Sequence, residues 1–257
     1  MKKNYISVAI ACALIGSLVI SCKKSNPEDN CAQILQVKIT GARTSYYTGD
    51  TISLGTSLLP DGLYIWNQSN VMNAISNSPT VFIPSCTKYD EGWYYLAVSY
   101  PDCASHFDSV YIKVTNKPAV APCTPANNTV TFSSIPSIAF SSASWQIDPS
   151  WNFKDLSGYQ SYGYPDINIY FHPYWNNKEP EDGEYTVGNM ASFSDNDLYK
   201  IAMTSLYSSV YFEAGPGKAY VSHVGGKIQV TFCSVPFSGD LGNQAYTTSA
   251  SGRLTAP

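Results

Sequence analysis

Charge is what this sequence has least of: Asp, Glu, Lys and Arg make up 13% of its 257 residues, where about 25% is ordinary. The few charges lean acidic, 19 against 15, for a net charge of −4. No basic stripe with interleaved aromatics occurs, so the attraction that drives nucleic-acid binding is missing and no nucleic-acid partner is expected. Histidine is scarcer still, with only His106, His172 and His223. None has the neighbours that would mark a base for a serine or cysteine nucleophile, and each reads as a structural or surface residue. No two cysteines or histidines stand at ligand spacing, so neither a metal site nor a cofactor is expected.

Aromatic residues, by contrast, are plentiful. The 20 tyrosines, 10 phenylalanines and 5 tryptophans, set among uncharged polar residues, describe a chain rich in strands and turns. At roughly 100 to 200 residues per domain, the length favours two domains.

The N-terminus is the one long apolar run. Met1-Lys2-Lys3 supplies a positive start, and Tyr5 to Ile20 carries no charge before Val19-Ile20-Ser21-Cys22. A bare membrane-spanning helix would need about 20 apolar residues and no small-residue cleavage site. The ending resembles the lipobox of bacterial lipoproteins, which implies a signal peptide over residues 1–21, cleavage before Cys22 and lipid on the Cys22 thiol and amine. Two or more acyl chains anchor a protein stably, whereas one holds it only marginally. Losing residues 1–21 removes Lys2 and Lys3 and no acid, so the net charge moves from −4 to −6. Residues 22–30, with Lys23-Lys24-Ser25-Asn26-Pro27-Glu28-Asp29-Asn30, read as a polar tether. The Cys-Lys-Lys start with acids soon after is similar to the tether of Bacteroidetes-type lipoproteins, which implies an outer-membrane lipoprotein displayed at the cell surface.

Between residues 31 and 116, short alternating runs recur at Leu35 to Ile39, Thr51 to Leu54, Tyr64 to Trp66, Thr80 to Ile83, Trp93 to Tyr100 and Ser109 to Val114. This spacing is that of a β-sandwich. In Asp90-Glu91-Gly92-Trp93-Tyr94, Asp, Gly and Tyr alternate just before an apolar strand, which resembles the tyrosine corner of immunoglobulin domains. Trp66, 12 residues after Leu54, stands where that family buries a tryptophan, and Leu54 and Leu96 stand where its inter-sheet cysteines would be. The expected core is therefore packed without that bridge.

Five cysteines follow Cys22: Cys31, Cys86, Cys103, Cys123 and Cys233. The number is odd in a compartment where disulfides persist, so at least one is not paired within the chain. The immunoglobulin resemblance puts Cys31 at the start of the first strand and Cys103 in the last hairpin, at the same end of the sandwich, and implies a bond between them. It puts Cys86 at a position usually held by a buried aliphatic residue, where a cysteine acts as a small hydrophobe. Cys123 and Cys233 remain to staple the ends of the second domain, while a Cys86–Cys123 pair across the linker stays open as the alternative.

Asn116-Lys117-Pro118-Ala119-Val120-Ala121-Pro122 has two prolines and no periodic pattern, so residues 117–122 read as a semi-rigid linker. Residues 123–257 then continue in strand-like stretches: Thr129 to Phe132, Ile167 to Phe171, Glu184 to Val187, Tyr199 to Thr204, Ser209 to Glu213, Ala219 to His223 and Lys227 to Phe232. Val224-Gly225-Gly226 between the last two signals a hairpin. The expected fold class is thus all-β, an immunoglobulin-like sandwich followed by an antiparallel β-sandwich or barrel-like domain. The order of features in the second half is similar to β-rich domains of uncharacterised function in Bacteroidetes-type lipoproteins, which adds no activity.

Three groups of residues bear on chemistry. Glu179, Glu181, Asp182 and Glu184 crowd a Pro-Gly turn, and glycoside hydrolysis needs paired carboxylates. Acids so close on a turn ordinarily face water. Asp195-Asn196-Asp197 offers alternate oxygens for calcium but lacks the glycine and distal glutamate of a recognised loop. Residues 145–175 hold ten aromatics in 31 positions: Trp145, Trp151, Phe153, Tyr159, Tyr162, Tyr164, Tyr170, Phe171, Tyr174 and Trp175. Such rings ordinarily fill the core beneath long loops. If they form a ligand face, Trp151, Tyr164, Tyr174 and Trp175 are its candidates, with Tyr170 added because alternation sets it opposite Ile169 and Phe171.

These features point to a non-catalytic surface module that meets a glycan or a surface protein. The alternative is a structural or assembly subunit of an envelope complex, and a polysaccharide-acting hydrolase is the weakest fit because no acid, base and nucleophile set is present.

Overall fold

The computed structural model describes residues 27–160, 166–193, 198–207, 209–241 and 244–257, with residues 27–30, 192 and 241 described by backbone alone. Cys22, the signal peptide and the tether as far as residue 26 lie outside the described residues, as do Tyr164 and Asp195-Asn196-Asp197.

The chain begins with a helix, α1 (Pro27–Ile34), in what reads from the sequence as tether. Proline is suited to a first helical position, where its missing N–H costs nothing. Cys31 therefore lies on a helix and not in a strand, and it is bonded to Cys103. The alternating stretch from Leu35 to Ile39 forms no strand, because it crosses from α1 into the sandwich, where Ile34 and Val37 are buried.

The first domain contains β1 (Ser45–Tyr47), β2 (Ile52–Gly55), β3 (Leu63–Gln68), β4 (Thr80–Ile83), β5 (Gly92–Ser99) and β6 (His106–Thr115). One sheet runs β1-β6-β5-β3 and the other is β2-β4. Side chains alternate along each strand. In β5 this turns Tyr94, Leu96 and Val98 inward and Trp93 and Tyr95 outward. Trp66 is fully buried among Leu54, Leu96, Ile112 and Val114, and its indole donates to the Ser78 carbonyl at 2.9 Å. The Tyr94 hydroxyl donates back to the Asp90 carbonyl at 2.8 Å, closing the expected corner. Burial pushes the Tyr94 phenol well above its ordinary value. Cys86 is buried and unpaired, as expected of a small hydrophobe, and burial raises its thiol pKa. Cys123 pairs with Cys233, which excludes the Cys86–Cys123 alternative. The domain is an immunoglobulin-like sandwich.

The second domain contains β7 (Thr129–Phe132), β8 (Ile138–Ala139), β9 (Ser142–Ile147), β10 (Lys154–Tyr159), β11 (Ile167–Phe171), β12 (Gly183–Gly188), β13 (Lys200–Tyr207), β14 (Val210–Ala214), β15 (Gly217–Val224), β16 (Lys227–Leu241) and β17 (Gln244–Thr255). They form one coiled sheet in the order β8-β7-β17-β16-β15-β12-β13-β11-β10-β9, and β14 bridges β13 and β16. The two edge strands, β8 and β9, are separated in sequence only by Phe140 and Ser141. Phe140 bonds to Asn128 on one side and Ser141 to Tyr159 on the other, so the edges meet and the sheet closes like a barrel around Leu156, Ile169, Phe171, Tyr185, Phe212 and Phe232. The pairing is antiparallel except for β12 with β13, which run parallel because the chain crosses over between Gly188 and Lys200. Gly225 and Gly226 both take positive φ, 60° and 78°, in the hairpin between β15 and β16. In β16 the register shifts between Phe232 and Val235. The bulge bends the strand so that its first half pairs with β15 and its second half with β14.

Asp155, on β10, is a buried acid at 2% exposure. One carboxylate oxygen meets the Ser157 hydroxyl, and the other has no partner among the described residues. Burial raises its pKa to about 6. A carboxyl with a raised folded pKa weakens the fold where it is ionised. Asp155→Asn is therefore expected to stabilise the protein at pH 7 to 8, by on the order of 2 kcal/mol. The gain should shrink as pH falls from about 6 toward the ordinary carboxyl value, which parallel denaturation curves at pH 7.5 and pH 4.5 would read.

Candidate binding surface

Among the described residues, the aromatics of 145–175 do not assemble into a common face. Trp175 is 2% exposed, its indole donates to the Leu198 carbonyl at 2.6 Å, and its ring packs on Tyr174 and Tyr199. Tyr170 faces away from Ile169 and Phe171, as alternation requires, yet it too is buried. Burial pushes its phenol up to about 12. Both are removed from the set of ligand candidates, because a ring enclosed by its own fold has no surface to offer. Tyr174 is half-buried, its ring covered by the Lys178 ammonium 4.0 Å from the centroid. Trp145 is likewise capped by Lys154 at 4.7 Å. Among the described aromatics of this segment Trp151 alone is well exposed, on the turn between β9 and β10, where its backbone N–H donates to Asp148.

On the acidic turn Glu179 and Asp182 face solvent as expected, with side chains 60% and 55% exposed, but Glu181 does not. Glu181 is not a solvated acid but lies between the domains, where Lys88 meets it. Lys88 sits on a single helical turn that precedes β5, and its side chain is 6% exposed. Its ammonium donates to Glu91 at 2.8 Å, to the Val114 carbonyl at 2.7 Å and to Glu181 at 2.6 Å, so all three donors are used. The other oxygen of Glu181 accepts from the Asn116 N–H at 2.8 Å and from the Tyr199 hydroxyl at 2.6 Å. Burial opposes ionisation of Glu181, but Lys88, Tyr199 and Asn116 together outweigh it and hold the carboxyl below its ordinary value. Burial likewise opposes the Lys88 charge, and the bonds to Glu181 and Glu91 outweigh it and raise its pKa. The Asn116 amide donates to the Glu184 carbonyl at 2.9 Å. Gly183, at φ +138°, passes so near the linker that an added Cβ would lie 2.6 Å from the Lys117 carbonyl. The segment read as a linker is thus bonded into the second domain at its first residues. His223 bonds to Asp182 of the same turn at 2.6 Å, and His172 caps the turn at Pro173–Trp175.

The exposed aromatic surface lies instead on the first domain, on the outer face of β3, β5 and β6. Leu63, Ile65, Trp93, Tyr95, Phe107 and Tyr111 are each between 41% and 69% exposed. Trp93 and Tyr95, two apart on β5, stack at 6.4 Å between centroids with planes 24° apart. Trp93 meets Tyr111 of β6 edge-on at 5.5 Å, across a directly paired position. Ala97, between Ile65 and Phe107 in the register, keeps the face level. Lys113 is the single charged residue that these strands turn to this side. At its border Tyr111 interacts with Glu91, which joins the face to the Lys88 cluster, and burial and that carboxylate raise the Tyr111 pKa. These residues were legible as a strand but not as a surface. The usable signal was the corner itself: with Tyr94 turned inward, Trp93 and Tyr95 must turn outward.

No family model matches the chain, and no curated protein matches its sequence. Among solved structures, it is similar to the four N-terminal immunoglobulin domains of Dscam1 isoform 6.9, at 23% identity over 30% of this chain and 20% of that one, with a TM-score of 0.27. It is also similar to three N-terminal domains of the highly immunogenic outer capsid protein of bacteriophage RB49, at 12% identity over 86% and 68%, with a TM-score of 0.26. Extracellular domains 3–5 of Drosophila OTK align at 10% identity over 86% and 64%, with a TM-score of 0.28. The chain spans a fifth of the Dscam1 structure. At such scores the immunoglobulin-like assignment rests on the Tyr94 corner, the buried Trp66 and the β1-β6-β5-β3 and β2-β4 sheets.

Proposed function

We propose that this protein is a non-catalytic binding module of the bacterial cell envelope, held to the outer membrane by lipid on Cys22 and displayed at the surface. It engages a protein partner through the outer face of β3, β5 and β6. The observation that carries this reading is the run of six large, exposed apolar side chains on one level sheet. Soluble domains seldom leave such a patch to water unless something docks there, and tryptophan and tyrosine are the side chains that contribute most at interface centres. A protein partner fits better than a glycan. The aliphatic Leu63 and Ile65 and the benzyl Phe107 offer nothing to sugar hydroxyls, and no carboxylate lies among them.

The test is site-specific photo-crosslinking in intact cells, with a benzophenone amino acid at position 95 and a control at position 151. A discrete heavier species formed from position 95, absent from position 151 and lost with Trp93→Ala, is the expected result. Equal labelling from both positions, or none from 95, would refute the reading. A species of twice the chain mass would reassign the face to self-association.

A further inference from the structure

The second domain carries a groove that the aromatic face does not involve. It lies over β14, β16 and β17, has a volume of about 330 Å³, and is lined by Tyr211, Glu213, Ser238, Asp240, Ala245 and Thr247. This is at the lower end of the roughly 300 to 1,000 Å³ of small-ligand sites. The pairing explains how the residues converge. Tyr211 stands opposite Asp240 and Glu213 opposite Ser238 across β14 and β16, while Asp240 stands opposite Ala245 and Ser238 opposite Thr247 across β16 and β17. Directly paired residues point to the same side of a sheet, so the tyrosine, both acids and both hydroxyls share one face.

The groove is also held in shape. An added Cβ at Gly239 would lie 2.3 Å from the Tyr211 carbonyl, so β14 and β16 approach as closely as they do only with glycine there. Glu213 is tied by the Met190 N–H, which donates to it at 3.3 Å. Tyr211 stands opposite Leu206 of β13 and is 55% exposed. A tyrosine on a strand paired on both sides has little backbone freedom to lose on binding.

We infer that this groove binds one or two rings of a neutral carbohydrate. The Tyr211 ring offers a flat apolar wall to a sugar face. Glu213 and Asp240 accept from ring hydroxyls in charge-assisted hydrogen bonds, which are stronger than neutral ones. No lysine or arginine lines the groove, so two carboxylates repel sulfated or uronate sugars and leave neutral ones favoured. This site is independent of the protein-docking face proposed for the first domain, and either can fail without the other.

The experiment is affinity electrophoresis of the intact chain in non-ionic detergent, through native gels containing dextran, laminarin, xyloglucan or soluble starch, with polygalacturonate as the anionic comparison. Retardation by at least one neutral polymer is expected. It should weaken at least tenfold in Tyr211→Ala and in Asp240→Asn, both of which alter exposed residues, and remain unchanged in Trp93→Ala. Loss in Trp93→Ala with retention in Tyr211→Ala would place sugar binding on the first domain and overturn the inference. So would retardation by polygalacturonate alone, or by none of the five polymers.

Discussion

Glu181→Ala is expected to destabilise the protein by about 3 to 5 kcal/mol, the cost of stranding a buried charge when its partner is removed. The Lys88 ammonium would keep Glu91 and the Val114 carbonyl but lose the carboxylate 2.6 Å away, while its side chain remains 6% exposed. The Asn116 N–H and the Tyr199 hydroxyl would lose their acceptor at the same time. Because the carboxylate joins the two domains, calorimetry should show one unfolding transition in the parent splitting into two in the variant. Lys88→Met combined with Glu181→Leu should recover part of the loss, since the stranded ammonium is removed while Glu91 loses its ammonium partner and the Asn116 N–H and Tyr199 hydroxyl still lack their acceptor.

The pH dependence follows from the directions of the two shifts. Glu181 is held below its ordinary value of 4.5, so its contribution is complete above that value and disappears as pH falls through its lower, folded pKa. Lys88 is raised above 10.5, so its contribution is complete below that value and lost as pH rises through the folded pKa. Between these limits the junction is intact. A parent protein that keeps its single transition in the variant would mean that the domains are joined by other contacts.

Trp175→Ala is expected to cost about 3 to 5 kcal/mol, in the range for truncating a buried aromatic. Its ring is enclosed by Tyr174 and Tyr199, and the Leu198 carbonyl would lose its donor. Trp151→Ala, at an exposed turn, should stay within about 0.5 kcal/mol of the parent. Urea denaturation followed by far-ultraviolet dichroism separates the two. A Trp175→Ala protein as stable as the parent would return that ring to the set of surface candidates.

The first domain was legible largely because its signals are local. The Asp90-Gly92-Tyr94 spacing encodes a turn, and Trp66 after Leu54 encodes two facing strands, so a few residues define each element. The second domain was harder. β9 and β17, written as SASWQI and QAYTTSASGRLT, take half or more of their residues from serine, threonine, glycine and alanine, and these strands, like β10 (KDLSGY), show weak apolar alternation. They become strands because neighbours already in the sheet satisfy their backbone groups, which is a non-local cause.

By itself, the sequence determined which side of each strong strand turns inward, since side chains alternate at every step. It also encoded the corner that starts β5, whereas the choice of Cys233 over Cys86 as the partner of Cys123 came from the structure. Only the tertiary structure decided which outward sides stay bare. Tyr170 and Trp93 both face away from a sheet interior, yet Tyr170 is 5% exposed and Trp93 is 45% exposed. Alternation specifies a direction, but what packs over that direction comes from residues far along the chain. The same holds for Glu181, whose place on a turn predicts water and whose partner, Lys88, lies 93 residues away.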